Sequence, residues 1–389
     1  MTKISIKKYF SGVTKDTFFL SLVSLFADIA TEMLYPILPI FLTQTLKANG
    51  SAVGLVEGIA TATQNIVQGV SGYLSDKIQK RKAIAIAGYT VSALAKPLIG
   101  FSTLWQQVLG VRFMDRLGTG TRSAPRDALI AASVDKKSRG KAFGLEAVGD
   151  NLGAFLGPLL TIFLLFSLKI QIRHIFYLAV IPGLLSVLAI TLVKEKNISF
   201  SSKSKLEANL HKFPKKYYLY LFVTAIFGLG VSSTSFLILQ TKSIGVSLEG
   251  TILIYAFFNL IAALTSYPAG FLSDKFGRKN ILLLSFVIFA LTYLGFALTR
   301  NILAITILFI FYGAFQGIFR SVGKAQVVDL IPQNLKASGI GWYISTVGLT
   351  SLVASLVSGQ LWDKLGHPAV FLYGALFGTM GIISLIFLI

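Results

Sequence analysis

Asp28 and Glu32 stand four residues apart in a long apolar run, so a helix would place both carboxyls on one face. A second run holds Arg112, Asp115, Arg116, Arg122, Arg126 and Asp127, and a third holds Glu146, Asp150 and Asn151. Near the C-terminus another run carries Arg320, Lys324 and Asp329. An ionisable group in hydrocarbon costs roughly 2.5–3.5 kcal/mol on insertion scales, so each of these is a functional candidate. Burial favours a neutral carboxylic acid and a nearby guanidinium favours the carboxylate; arrival of a solute can tip that balance. On this logic Glu32 or Asp28 is the expected proton-coupling site, with Arg112 as partner. Arg116 is the expected anion contact, because a guanidinium fork matches carboxylate or phosphate geometry. The competing reading for Glu32 and for Glu146 is a structural ion pair.

Further polar groups are candidates to line a solute cavity: Tyr35, Gln64, Asn65, Gln68, Asp150 and Asn259. Such side chains also bond neighbouring helices, which is the plainer reading of each. Tyr35-Pro36, Pro39 and Lys96-Pro97 are expected to interrupt helices where freed carbonyls face a cavity. Arg122, Arg126, Asp127, Arg320 and Lys324 suit an inner gate or a basic vestibule, and Asp127 is a candidate partner for Lys80. Enzyme chemistry finds no support. There is no cysteine, no Gly-x-Ser-x-Gly and no phosphate loop. His174, His211 and His367 fall in expected loops or helix ends, so neither a metal nor a cofactor is expected. Gly118-Thr-Gly120 lies inside an apolar run and is not a dinucleotide fingerprint.

The elements that must position these groups are membrane helices. The 389 residues are 54% hydrophobic and 13% charged, with mean hydropathy +0.72; a soluble domain is about 25% charged. The apolar runs do not alternate as spanning strands would, and helices satisfy their own backbone in lipid. The expected spans are 16–46, 51–74, 83–101, 104–131, 141–167, 173–193, 217–241, 249–272, 280–299, 302–329, 337–362 and 368–389. Residues 194–216 are polar and Ser/Lys-rich, and read as a cytoplasmic linker. Of 36 Lys and Arg, 23 fall in alternating loops on one side, six in the opposite loops and seven within spans. That bias places the basic loops and both termini in the cytoplasm, of a bacterial inner membrane by expectation. It accounts for the net charge of +20 without a nucleic-acid partner. The basic N-terminus reads as a cytoplasmic lead-in and not as a cleaved signal.

The halves repeat. GYLSDKIQKRKAI from Gly72 and GFLSDKFGRKNIL from Gly270 are offset by 198 residues, and the same offset carries Arg122 onto Arg320 and Arg126 onto Lys324. The second copy, with Gly270, Asp274, Lys275, Gly277, Arg278 and Lys279, resembles the loop that marks the major facilitator superfamily (MFS). The first copy, with Gly72, Asp76, Lys77, Lys80 and Arg81, resembles it with Gln79 in place of the second glycine. Arg112 to Gly118 is similar to the family's embedded-arginine motif, with Asp115 and Arg116 replacing Gln and Gly. Gly144, Gly153, Gly157 and Pro158 match the spacing seen in the family's antiporters, although Thr161 and Ile162 stand where two glycines follow; small residues easing helix packing explain them as well.

The resemblance implies an all-α polytopic fold of twelve helices in two pseudo-symmetric bundles, 1–193 and 217–389. It implies alternating access about a central cavity, with the duplicated loops latching the cytoplasmic side. The expected function is proton-coupled transport of a small organic solute, preferably anionic and preferably exported, by a monomer. A multidrug antiporter, or an importer of an anionic nutrient or siderophore, remains open at this level. A channel or a membrane-embedded enzyme fits the duplicated loops less well.

Overall fold

The computed structural model describes residues 14–78, 80–135, 138–195, 213–332 and 335–389. The basic lead-in, Gln79, His211 and most of the linker lie outside them, as do the side chains of Asp76 and Lys77. Every described regular element is helical: α1 Lys15–Glu32, α2 Gly50–Ile78, α3 Arg81–Phe101, α4 Trp105–Ser133, α5 Arg139–Ile162, α6 Ile172–Leu178, α7 Val180–Thr191, α8 Lys215–Gly228, α9 Ser235–Ser243, α10 Leu248–Phe276, α11 Arg278–Leu298, α12 Ile302–Leu330, α13 Lys336–Leu365 and α14 His367–Leu388. Each expected span coincides with one helix or with a broken one. Eight helical stretches are long and apolar enough to cross a membrane, and this is an integral membrane protein. The stretches that fall short include α1, α2 and α4, which carry the embedded charges and amides, and the two short pieces α8 and α9.

Local chemistry explains the breaks. The Thr14 hydroxyl accepts the amide of Thr17 and caps α1. Pro36 and Pro39 cannot donate to a ladder, so α1 stops at Glu32, resumes at Leu38–Ile40 and ends in a π-turn at Phe41–Thr45. The corresponding rod of the second half is also broken, between α8 and α9 at 229–234. Shifted by 198 residues, Met33–Ile37 falls on 231–235, so the interruption is part of the repeat. Lys96-Pro97 behaves differently from expectation: α3 continues through Pro97 to Phe101.

Glycines set the closest approaches. A Cβ at Gly153 would lie 2.6 Å from the Leu25 carbonyl and 2.8 Å from Asp28 Cβ; at Gly157 it would lie 2.8 Å from the Met33 amide and 3.1 Å from Glu32 Cβ. The glycine spacing of α5 therefore presses it against α1 at Asp28 and Glu32, the packing role considered from sequence. Gly144 meets nothing within 4 Å. Gly72 meets Ala124 at 3.2 Å, but Gly270, expected to allow the same approach, meets nothing within 4 Å. The turn glycine of that loop is Gly277, whose φ of 90° suits glycine, and it joins α10 to α11 without a spacer.

The two halves meet where α2 packs on α13 and α5 on α10, pairs related by the repeat. A Cβ at Gly359 would lie 2.6 Å from the Gly50 carbonyl, one at Gly348 would lie 2.7 Å from Asn65 Cβ, and one at Gly69 would lie 3.6 Å from the Gly341 Cα. The seam is thus tightest at the end away from the basic loops and looser toward them. At the tight end, Asp363 of α13 accepts the amides of Gly50 (2.7 Å) and Ser51 (2.8 Å) and the Ser51 hydroxyl (2.6 Å), capping α2 across the seam. Leu239 and Ile252 enter the apolar cluster of Met33, Ile37 and Phe41.

The α1–α5 contact makes a signed prediction. Gly144→Ala should stabilise by up to about 1 kcal/mol through helix propensity. Gly153→Ala should instead destabilise by about 1–3 kcal/mol, because its methyl meets backbone. Thermal unfolding of both purified variants in detergent checks the opposite signs; equal shifts would refute the packing account.

Candidate functional site

The interior of the first half is an ion network. Asp115 of α4 is 1% exposed, and one carboxylate oxygen accepts Lys96 Nζ (2.8 Å) and the Ser92 hydroxyl (2.7 Å) from α3. The other oxygen faces Arg112 at 3.3 Å and Arg116 Nε at 3.6 Å. Arg112 Nη2 reaches back to both oxygens of Glu57 on α2, at 2.9 and 3.1 Å. Arg116 Nη1 donates to Gln64 Oε1 at 2.9 Å. Glu57 and Asp115 thus hold three cations that would otherwise be bare, and α2, α3 and α4 are tied together at one depth.

This corrects one expectation. Arg112 pairs with Glu57 and Asp115, not with Glu32 or Asp28. Glu57 is the residue that sequence reading overlooked, although a single acid in Val-Gly-Leu-Val-Glu-Gly-Ile-Ala is the kind of signal used for the other spans. Lys96, read only as a neighbour of a proline, is a member of the network.

Glu32 occupies a different position, on the seam. Its Oε2 accepts the Tyr255 hydroxyl at 2.7 Å and Asn259 Nδ2 at 3.2 Å, both from α10 of the second half. Asn259 also donates to the Ala154 carbonyl of α5 at 3.1 Å. Tyr35 stacks on Tyr255 with centroids 5.5 Å apart and planes 10° from parallel. The cations whose charge acts on Glu32 are Arg116 of its own half and Arg320 of the other. Tyr35, in turn, lies within the field of Glu57, Arg112 and Arg116. Glu32, Tyr35, Gln64, Arg112, Arg116 and Asn259, scattered in sequence, are therefore brought to one region. Asn65 is on the seam against Gly348, whereas Gln68 is half-buried on α2 with no side-chain partner among those described.

A second cluster lies one to two turns nearer the basic end. Arg126 pairs with Asp127 (3.0 Å) and Glu146 (3.0 Å) and approaches Asp150 (3.9 Å); Ser24 bridges Glu146 and Arg126. Asp127 is thus bound by Arg126 and not by Lys80. Asp28 faces Asp150, its neighbour across the α1–α5 contact. Opposite them, Arg320 and Lys324 are exposed and make no ion pair among the described residues. Lys324 senses Asp127 and Asp150 across the gap without touching them. Arg122 has parted company with its repeat mate: Arg320 is exposed, but Arg122 is 7% exposed and stacked 4.2 Å over the Tyr89 ring.

In the second loop, Arg278 contacts Asp274 and the Ser273 hydroxyl and pairs with Asp329 of α12 at 3.0 Å. An arginine of the loop clamping a carboxylate on the adjacent long helix is the contact expected of Lys80, realised in the other half. In the first half, Glu195 accepts the amides of Arg81 (2.8 Å) and Lys82 (3.3 Å), so the segment leaving α7 caps α3 beside that loop.

The network makes a thermodynamic prediction. Glu57→Ala should cost about 3–5 kcal/mol by stranding a buried guanidinium, and the Glu57→Leu, Arg112→Met double variant should cost clearly less. Thermal unfolding of both in detergent is the measurement; a double variant as damaged as the single would refute the pairing.

The chain matches the sequence profile of the Major Facilitator Superfamily over residues 20–219 and again over 220–389. An uncharacterized MFS-type transporter of Methanocaldococcus jannaschii is 33% identical over 97% of this chain and 95% of its own length. The probable 4-methylmuconolactone transporter of Cupriavidus pinatubonensis is 26% identical over 84% of this chain and 78% of its own. Among solved structures, the nucleoside transporter NupG superimposes with a TM-score of 0.78 at 14% identity, covering 96% of this chain and 99% of that one. Two successive profile matches, a relative aligned from end to end and a shared fold agree with the duplicated loops and the embedded arginine. The chain belongs to the Major Facilitator Superfamily of transporters.

Proposed function

We propose that this protein is a proton-coupled secondary transporter of a small organic anion. In this reading it has twelve membrane crossings in two halves, 1–193 and 217–389, that rock about the seam. The basic loops and both termini face the cytoplasm, so the tight end of the seam is the outer one and the cavity opens inward. The observation that carries the reading is the Glu32 carboxylate, which accepts two hydrogen bonds from α10 of the opposite half.

A carboxylate accepts; a carboxylic acid has lost its charge and one acceptor site, and charge-assisted bonds are roughly twice as strong as neutral ones. Protonation of Glu32 therefore weakens what holds α10 against α1 at mid-depth. The coupling follows: the proton that enters Glu32 also releases the seam, and a solute anion competes for the cations beside it. Asp28, pressed against Asp150, is a second carboxyl on the same helix face and supports a relay toward the basic end. For the solute, the charges of Arg116 and Arg320 act on the Glu32 region from opposite halves, so an anion placed there would be attracted by both. Export is the direction we assign, on the likeness of the α5 glycines to those of antiporters. Exposed Lys324 and Arg320 facing Asp127 and Asp150 suit an inner gate that is open in this state.

Two experiments test the reading in proteoliposomes. Glu32→Gln should abolish transport driven by a pH gradient while leaving solute exchange measurable; full pH-driven flux in that variant would sink the coupling role. Arg320→Gln should weaken binding of an organic anion about 10–100-fold, the worth of a lost charge-assisted bond of roughly 1.5–3 kcal/mol. Unchanged anion affinity, with stabilisation by lipophilic cations instead, would favour a multidrug antiporter.

A further inference from the structure

Inside the first half, away from the seam, α1, α3, α4 and α7 enclose a small cavity. Its polar lining is Tyr89, Ser92 and Lys96 of α3, Arg122 of α4 and Ser186 of α7. Its space admits a single small particle, a water or a monatomic ion. The walls are rigid. A Cβ at Gly88 would lie 2.7 Å from the Gly118 carbonyl and 2.8 Å from the Arg122 amide, and one at Gly183 would lie 2.9 Å from Ala93 Cβ.

The donors around this space are out of balance with the acceptors. Arg122 is 93% buried, forms no ion pair or hydrogen bond among the described residues, and leaves Nε without a partner. The Tyr89 hydroxyl, at 1% exposure, is also unpartnered. Lys96 adds a second positive charge at the wall. Ser186 donates to the Gly183 carbonyl and Ser92 to Asp115, so neither hydroxyl hydrogen is free for the cavity. No carboxylate lines it: Asp115 is held by Lys96, Arg112 and Arg116, and Asp28 is turned toward Asp150. A buried guanidinium without a partner is costly by several kcal/mol, and a cavity with two free donors and two cations is complementary to negative charge.

We propose that this cavity is a binding site for one small inorganic anion of halide size, held by Arg122 Nε and the Tyr89 hydroxyl in the field of Lys96. The site is separate from the solute path at Glu32. The ion neutralises Arg122 and completes the packing of α1, α3, α4 and α7, so it is a resident component of the first bundle. A water in the same place would satisfy the two donors but leave the guanidinium without a contacting counter-charge, since Asp28 acts on it only at a distance.

The purified full-length protein, exchanged into gluconate buffer, is titrated with sodium chloride or bromide at constant ionic strength while its thermal unfolding midpoint is followed. Chloride and bromide should raise the midpoint saturably and sulfate should not. Arg122→Gln should lose the response, and Tyr89→Phe should weaken halide affinity several-fold. Should either variant fail to fold, crystals of the wild-type protein in bromide decide the matter: an anomalous peak within hydrogen-bonding distance of Arg122 Nε and the Tyr89 hydroxyl is expected. A water without bromide signal there, the absence of a halide-specific shift in the wild type, or an undiminished response in Arg122→Gln would each overturn the proposal.

Discussion

Asp115 is the group on which the interior of the first half depends. Three cations, Lys96, Arg112 and Arg116, are carried into a bundle surrounded by lipid, and Asp115 contacts all of them. Removing such charges from water is tolerable only when each finds opposite charge and its remaining donors are satisfied. Asp115 cannot do this alone for three partners. Glu57 and Gln64 of α2 take Arg112 and Arg116, and Ser92, one turn back on the same helix, takes Lys96. The resulting network fixes the rotation of α2, α3 and α4 about their axes, because turning any one of them breaks a buried pair. Arg116 is thereby held near Glu32, on a framework that does not have to reorganise when a solute arrives.

The two halves solve the same packing problem with different chemistry. Where the first half has ions, the second has rings: Phe227 stacks on Phe286 at 3.7 Å and touches Phe289, Phe315 and Phe319, while Tyr293 and Tyr312 lie fully buried among them. Aromatic packing of this kind is stabilised by area and ring geometry and has little to titrate. Titratable groups are thus concentrated in one bundle and aromatic packing in the other. The residues of the second half that do meet the charges, Tyr255, Asn259, Arg320 and Lys324, sit on the two helices α10 and α12.

The seam combines contacts of two kinds. Near the tight end it is apolar and glycine-lined, and Asp363 caps α2 across it with three hydrogen bonds. At mid-depth it is held through Glu32 and Asn259. Toward the basic end, no hydrogen bond or ion pair joins the halves among the described residues, and the facing charges stay apart. Among the described residues, the seam is therefore held more firmly at the tight end than at the basic end. Its cross-seam hydrogen bonds are accepted by the carboxylates of Asp363 and Glu32 and by the Ala154 carbonyl.

Much of this was legible in the sequence. Apolar runs of about 20 residues located the helices, because hydropathy is a local property that the bilayer reads segment by segment. The 198-residue repeat located the pseudosymmetry, and the prolines marked the break after α1; the matching break between α8 and α9 emerged only in the structure. Asp28, Glu32 and the α4 charges showed that the embedded ionisable groups are concentrated in the first half. What the sequence could not supply was partnership. A spacing of four residues says that Asp28 and Glu32 share a face, not which helix that face meets. Arg112 finds Glu57 across 55 residues, and Glu32 finds Tyr255 across 223. Those pairings are set by helix rotation and by the backbone approaches that Gly153, Gly157 and Gly359 allow, and these are properties of the packed bundle. The tertiary structure therefore decided that Arg112 belongs to a structural ion network, that Glu32 belongs to the seam, and that Arg122 lines a small cavity inside the first half.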